Sequence, residues 1–458
     1  MINNKPLSTV PSIRAMILTD NILLEIFDFY RLTYGNTLSW EWHVLAHVCR
    51  RWRQIVFESP SRLHLTIRCT SKSHVENLGI WPAFAIAIDF DSIPVDVIAV
   101  PENTDVRYFK LDLAAGSQLE TLARIAPKPF PMLTHLIIHV DGIHTPLLPD
   151  EFLGGSAPRL QMIYLNNIAF PALQTLLLSA SDLVELQLRS TPIYQHTLPV
   201  RMATCLAELP RLKTFVLQFQ SRFHPHNTLV HPPPVTRPVL PALTSLEFTG
   251  PSKYLEDFVA RIDCPQLNKI LIRLLGDEYQ FAQLTGFFNR SIPPFRHAKA
   301  CVYDGGITFD LYHPTNRTGW DSHPATTAIS CTPINWYIFD ILDQCSAILS
   351  TVVDLKFVVD WQMNYKGDEY NLEWLPFLHQ LPALQALYVP LPLAHGVGHA
   401  LKSLKGEEVA EALPSLELIC LENQASLIQE FVAVRRLSDH PLTVASTEAE
   451  FDQRLSEK

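Results

Sequence analysis

Glycine is scarce in this chain, 16 residues against 35 prolines, and charged residues make up only 18% of the 458. Each shortage excludes something. Proline-rich disorder carries glycine and polar residues with it, so these prolines read as punctuation within folded structure. A formal charge of −10 lacks the basic surplus of a dedicated phosphate-backbone binder, and nucleic acid is not an expected partner. No run of 18 apolar residues is present to cross a membrane, and MINNKPLSTVPSIR lacks the apolar core of a secretory leader. The eight cysteines (Cys49, Cys69, Cys205, Cys264, Cys301, Cys331, Cys345, Cys420) form no CxxC and pair with no histidine at zinc spacing. They read as buried, reduced thiols of a cytoplasmic or nuclear protein.

Catalytic signatures are missing too. There is no G-x-x-x-x-G-K-[ST], no G-x-G-x-x-G after a strand, no G-x-S-x-G and no H-E-x-x-H. His224-Pro-His226 and His395-Gly-Val-Gly-His399 each bring two imidazoles near one another, where zinc takes three or four ligands. Gly396 and Gly398 also oppose a helix that would align the second pair. The expectation is no catalytic residue, no metal and no cofactor.

What is present is an apolar content of 47% and one phrase that keeps returning. It is a proline or turn followed by Leu-x-x-Leu-x-apolar: FPMLTHLII (130–138), APRLQMIYL (157–165), SDLVELQL (181–188), LPRLKTFVL (209–217), LPALTSLEF (240–248), CPQLNKILI (264–272), TVVDLKFV (351–358), LPALQALYV (381–389) and LPSLELICL (413–421). From Leu133 to Leu267 the leading leucines recur about every 23 to 31 residues, close to the ~20–29 of leucine-rich repeats. One unit cannot bury its apolar side alone, so neighbours stack into a solenoid. The expected fold class is α/β: a short all-α module followed by an irregular leucine-rich-repeat solenoid, its parallel sheet backed by helices. PALQTLLLSA (171–180), RMATCLAELP (201–210) and KYLEDFVARI (253–262) would supply such helices.

The expected organisation has a flexible tail over 1–14, a helical module over 15–60, the solenoid over 61–440 and a C-terminal tail over 441–458. Insertions are expected near 221–240 and 295–335, and irregular leading repeats over 61–113. On the inner face of the sheet, the residues flanking the second leucine of each phrase become candidates for binding a target. Tyr164, Glu185, Gln187, Glu247, Lys269, Lys356 and Tyr388 are the chosen set. Their mixture of charge and apolar surface suits a protein partner.

In the helical module Ile22, Leu23, Ile26, Phe27 and Tyr30 recur at helical spacing. Leu45, Val48, Cys49, Trp52, Ile55 and Val56 make a second stripe, opposite Arg50, Arg51 and Arg53. Those arginines read as a solvated helix face. Leu18, Ile22, Leu23, Ile26 and Phe27, with Val48-Cys49-Arg50-x-Trp52 and Ile55, resemble an F-box. Two departures stand out: Thr19 replaces the usual proline, and the link between the two segments is longer than the family pattern. The resemblance implies a substrate adaptor of an SCF-type cullin–RING ubiquitin ligase. Leu18, Ile22, Leu23, Ile26, Val48, Cys49 and Trp52 would dock a Skp-family linker, and through it a cullin, while the repeats hold an unknown protein substrate. The plainer reading makes the same seven side chains the core of a small helical domain. Two other functions stay open: an interaction scaffold with no part in ubiquitination, and, more remotely, a metal-dependent hydrolase.

Overall fold

The computed structural model describes residues 18–33, 42–59, 66–69, 85–89, 106–113, 130–142, 145–192, 198–220, 234, 236–276, 279–303, 306–313, 327–332, 338–360, 374–406, 408–437 and 441–457. It divides into two units, Met1–Leu111 and Asp112–Lys458. The boundary expected at 60/61 thus falls inside the first unit. His224 and His226 lie outside the described residues.

The first unit holds helices α1 (Asp20–Thr33), α2 (Trp42–Val48) and α3 (Arg50–Glu58). Leu23, Leu24 and Phe27 of α1 close onto Leu45, Ala46, Ile55 and Val56 to form its core, with Trp52 packed against the edge. The Phe27 and Trp52 rings meet edge-on, centroids 4.7 Å apart, a favoured aromatic geometry. The stripe from Leu45 to Val56 is two helices rather than one, because Cys49 takes an extended backbone (φ −158°, ψ 171°). Its Sγ accepts the Trp52 N–H at 3.5 Å, capping α3. Cys49 is therefore exposed, not buried as expected. Two of the arginines hold the helices together rather than merely facing water. Arg51 pairs with Asp20 at 2.6 Å, and Arg53 Nε donates to the Ala46 carbonyl at 2.9 Å. Strands β1 (Thr66–Cys69), β2 (Ala85–Asp89) and β3 (Val106–Leu113) pair in parallel, in chain order.

In the second unit strands run β4 (His135–Val140), β5 (Met162–Asn166), β6 (Glu185–Thr191), β7 (Thr214–Phe219), β8 (Ser245–Gly250) and β9 (Lys269–Leu275). Next come β10 (His297–Tyr303), β11 (Gly306–Tyr312) and β12 (Thr327–Thr332), then β13 (Asp354–Val359), β14 (Ala386–Val389), β15 (Leu418–Leu421) and β16 (Thr443–Ala445). From β4 to β9 each strand lies parallel beside the one before it. The interruption expected near 295–335 is an antiparallel meander. β12 joins β9, β11 lies between β12 and β10, and β10 joins β13, where parallel order resumes through to β16.

The prolines have a local reason. The carbonyls of Phe130, Ala157, Leu209, Leu240, Cys264, Leu381 and Leu413 accept the N–H of the leucine three residues on, at 3.0 to 3.4 Å. Proline occupies the second position of each of these turns, where its fixed φ is favoured and no N–H is needed. The turn then delivers the chain to a strand whose side chains alternate. Leu136, Ile163, Leu186, Phe215, Leu246 and Ile270 align in register, all buried.

Helices lie on that buried side: α4 (Leu173–Ser179), α5 (Pro199–Ala207), α6 (Ser252–Val259), α7 (Ala282–Ser291), α8 (Ile338–Leu349), α9 (Trp374–His379), α10 (Leu391–Ser403), α11 (Glu408–Glu411) and α12 (Gln429–Leu437). Phe258 of α6 packs on Phe215 at 5.8 Å, and Trp374 of α9 on Phe357 at 5.6 Å. One helix start is capped from its neighbour: the buried Glu256 carboxylate of α6 accepts the N–H groups of Gln283 and Leu284, at 2.7 and 2.8 Å. The segment 441–458, expected as a tail, contains β16 and a final helix, α13 (Glu448–Ser456).

Candidate functional site

Two surfaces carry the candidates, and each is described on its own. In the helical module, Leu18, Ile22 and Ile26 follow one another at four-residue spacing and are 37%, 47% and 43% exposed. Phe29, three residues on, extends the same stripe at 71%. Val44 and Val48 are exposed on α2. Leu23 is different. At 3% exposure it belongs to the core, and a partner could reach it only by opening the bundle. Trp52 is half-buried against Phe27 and supports the fold first. Phe29 and Val44 were missed, although Phe29 continues the α1 spacing and Val44 sits one turn before Val48.

On the sheet, the strand residues facing away from the helices form continuous cross-strand rows. One row runs Ile137, Tyr164, Gln187, Val216, Glu247 and Leu271. Another holds Glu185, Thr214, Ser245 and Lys269. The sequence-selected Tyr164, Glu185, Gln187, Glu247 and Lys269 therefore share one face. A third row, including His139, Asn166 and Arg189, was missed because the strands run one alternation longer than the phrase.

These side chains bond to one another. Arg189 Nε donates to Gln187 Oε1 at 2.9 Å, and its Nη1 lies 3.5 Å from Glu247. Gln187 also bonds Glu185, and Asn166 approaches His139 at 2.7 Å. Burial lowers the His135 pKa against the opposing pull of Glu185, which favours a neutral ring at neutral pH. The face thus offers a pre-ordered mixture of amides, charges and the Tyr164 ring.

Lys356 and Tyr388 need correction. They lie on the same side of the sheet, in register with each other, but α13 covers them and leaves only 4% and 3% exposed. As the chain stands they are closed to a partner.

The histidine pair needs correction as well. His395 and His399 do sit on a helix, α10, with their Nε2 atoms 3.2 Å apart. Gly396 and Gly398 are packing contacts there: a Cβ would lie 2.8 Å from the Trp374 indole nitrogen and 2.8 Å from Leu427 Cδ1, respectively. Burial in that packing outweighs glycine's intrinsic helix cost. Among the described residues no group of three or more His, Cys, Asp or Glu side chains is placed to hold a metal ion. No described helix is long and apolar enough to cross a membrane.

No protein-family profile matches the sequence, and no curated protein does. Among solved structures, a leucine-rich-repeat protein of Leptospira interrogans aligns over 86% of this chain and 98% of its own, at 12% identity and a TM-score of 0.31. The α/β repeat architecture rests on the strand registers and turns described above.

Proposed function

We propose that this chain is a non-catalytic adaptor. Its helical module docks the Skp-family linker of an SCF-type cullin–RING ligase, and its open sheet face holds a protein target. One observation carries the reading: the stripe Leu18–Ile22–Ile26 stays exposed on a module whose core is already closed by Leu23, Phe27, Ile55 and Val56. A contiguous apolar stripe left in water marks a docking surface. The F-box-like motif supplies the class of partner. Holding a target beside a conjugating enzyme requires no chemistry from this chain; it raises effective concentration.

Co-purification of the full chain with a Skp-family linker and a cullin tests the proposal. The wild type should recover both, and an Ile22→Asp/Ile26→Asp variant neither, with its helical circular dichroism retained. Recovery of neither by the wild type overturns the docking role and leaves the interaction scaffold. Recovery of the linker without a cullin overturns the ligase assignment alone.

A further inference from the structure

The patch beneath α13 is a continuation of the open sheet face. In cross-strand register the row from Glu247 and Leu271 passes through Ala328, Asp310 and Lys299 to Lys356, Tyr388, Cys420 and Ala445. Ala386 and Leu418 lie beside it, and all of these from Ala386 onward are buried under the final helix. The patch has a definite chemistry. It is an apolar slot with Lys356 and Glu422 at its rim: the Lys356 Nζ lies 5.4 Å from the centre of the Tyr388 ring, and the Glu422 carboxylate 3.5 Å from its hydroxyl.

The helix seated on it matches that chemistry residue by residue. Glu448, Phe451, Asp452 and Leu455 fall at i, i+3, i+4 and i+7, on one face. Phe451 is fully buried with its ring 5.6 Å from that of Tyr388, and Leu455 packs beside it. Lys356 Nζ lies 2.7 Å from Glu448 and 3.1 Å from Asp452. The Tyr388 hydroxyl approaches Glu448 at 3.5 Å.

The helix also carries its own start signal. Thr447 Oγ1 accepts the Glu450 N–H at 3.3 Å, and the Glu450 carboxylate accepts the Ser446 N–H at 2.8 Å and pairs with Arg454. Only Ser446 and Thr447 join it to β16, and its two latch carboxylates remain about half exposed, at 52% and 42%.

We propose that this patch is a docking site for an acidic, aromatic-bearing helix of a protein partner, and that α13 fills it in cis as a stand-in for that partner. The ligand helix places an acidic residue, an aromatic at +3, a second acid at +4 and an apolar side chain at +7. Such a helix reaches the slot by displacing α13, which extends the open face by the strands β13 to β16. The proposal shares with the adaptor reading only the idea that this face takes a protein. Its test involves no linker, so the two fail separately.

The probe is a helix-stabilised, fluorescein-labelled peptide of residues 446–458, titrated into the full-length chain and followed by anisotropy. The wild type should bind it ~tenfold or more weakly than a Phe451→Ala chain, because an occupied site lowers apparent affinity by the fraction that is open. Glu448→Gln/Asp452→Asn loosens the latch while keeping the apolar contacts, so it supplies the same comparison if Phe451→Ala does not fold. Adding Lys356→Glu to either loosened chain should abolish binding. A peptide with lysine at positions 448 and 452 should restore it. Hydrogen exchange should quicken at 449–456 in the loosened chains and stay unchanged at 185–191. Binding no tighter than wild type in both loosened chains, or binding indifferent to Lys356→Glu, overturns the proposal.

Discussion

Strands β4 and β14 are built from the same phrase, yet they present it differently. In β4 burial alternates along the strand, one residue half-exposed and the next buried. In β14 and β15 every residue is buried. Both halves rest on helices through the same buried rows, so the difference lies in the second face. In the first half that face carries Tyr164 beside Gln187, Arg189 and Glu247, where Arg189 bonds both of the other two in water's presence. In the second half it carries Ala386, Leu418, Cys420 and Ala445 under a helix. A largely apolar face gains from being covered by a helix, whereas a bonded polar network remains soluble uncovered. Within one repeat array, then, the composition of the outward positions separates a surface left open from one already occupied.

The largest effects are expected where the two halves are alike. Phe215→Ala and Phe357→Ala should each cost about 3–5 kcal/mol, since each empties a fully buried site against a helix. Denaturant unfolding checks this, and a much smaller loss at Phe357 would mean that the covered half relies on α13 rather than on its helix layer.

Next comes Glu256→Ala, expected to cost about 2 kcal/mol because two backbone N–H groups at the start of α7 lose their acceptor. Burial raises the Glu256 carboxyl above its usual 4.5, outweighing the two hydrogen bonds that lower it. The folded chain then holds that proton more tightly than the unfolded chain. The stability it contributes is full below 4.5 and is lost as pH rises through the raised folded value. Glu256→Gln should remove this component from a plot of unfolding midpoint against pH.

The sharpest contrast between faces comes from two lysines. Lys356→Ala should cost about 1–2 kcal/mol, through lost packing and loss of two carboxylate partners at the edge of the α13 interface. Lys269→Ala on the open face should stay within about 0.5 kcal/mol. Equal costs would mean that the covered and open faces do not differ in this respect. Glu247→Gln on the open face should likewise shift stability by under about 1 kcal/mol, because its partly exposed pair with Arg189 is screened.

Much of the fold was legible in advance. The leading leucines, the prolines ahead of them and the alternation after them act within a few residues, so turn and strand could be read together. The helices over 173–179, 199–207 and 252–259 fell within or beside the stretches expected to form them. In the helical module the stripe Leu18–Ile22–Ile26 was readable from spacing. That Leu23 turns inward while Ile22 turns out was not, since both lie near one apolar face and only the approach of α2 and α3 separates them. Cys49 could not be read as a cap because its residue type rarely serves as one; its extended backbone made it so.

By itself the amino-acid order determined the repeating unit, the side of each strand that enters the core, and the spacing of the exposed stripe on α1. These depend on local backbone geometry and on periods of two and three to four residues. Only the tertiary structure decided that β10 to β12 fold back into the sheet as a meander, that Gly396 and Gly398 face neighbours too close for a side chain, and that Lys356 is met by Asp452 from 96 residues away. A local period tells which way a side chain points; what stands in front of it is set by chain that arrives much later.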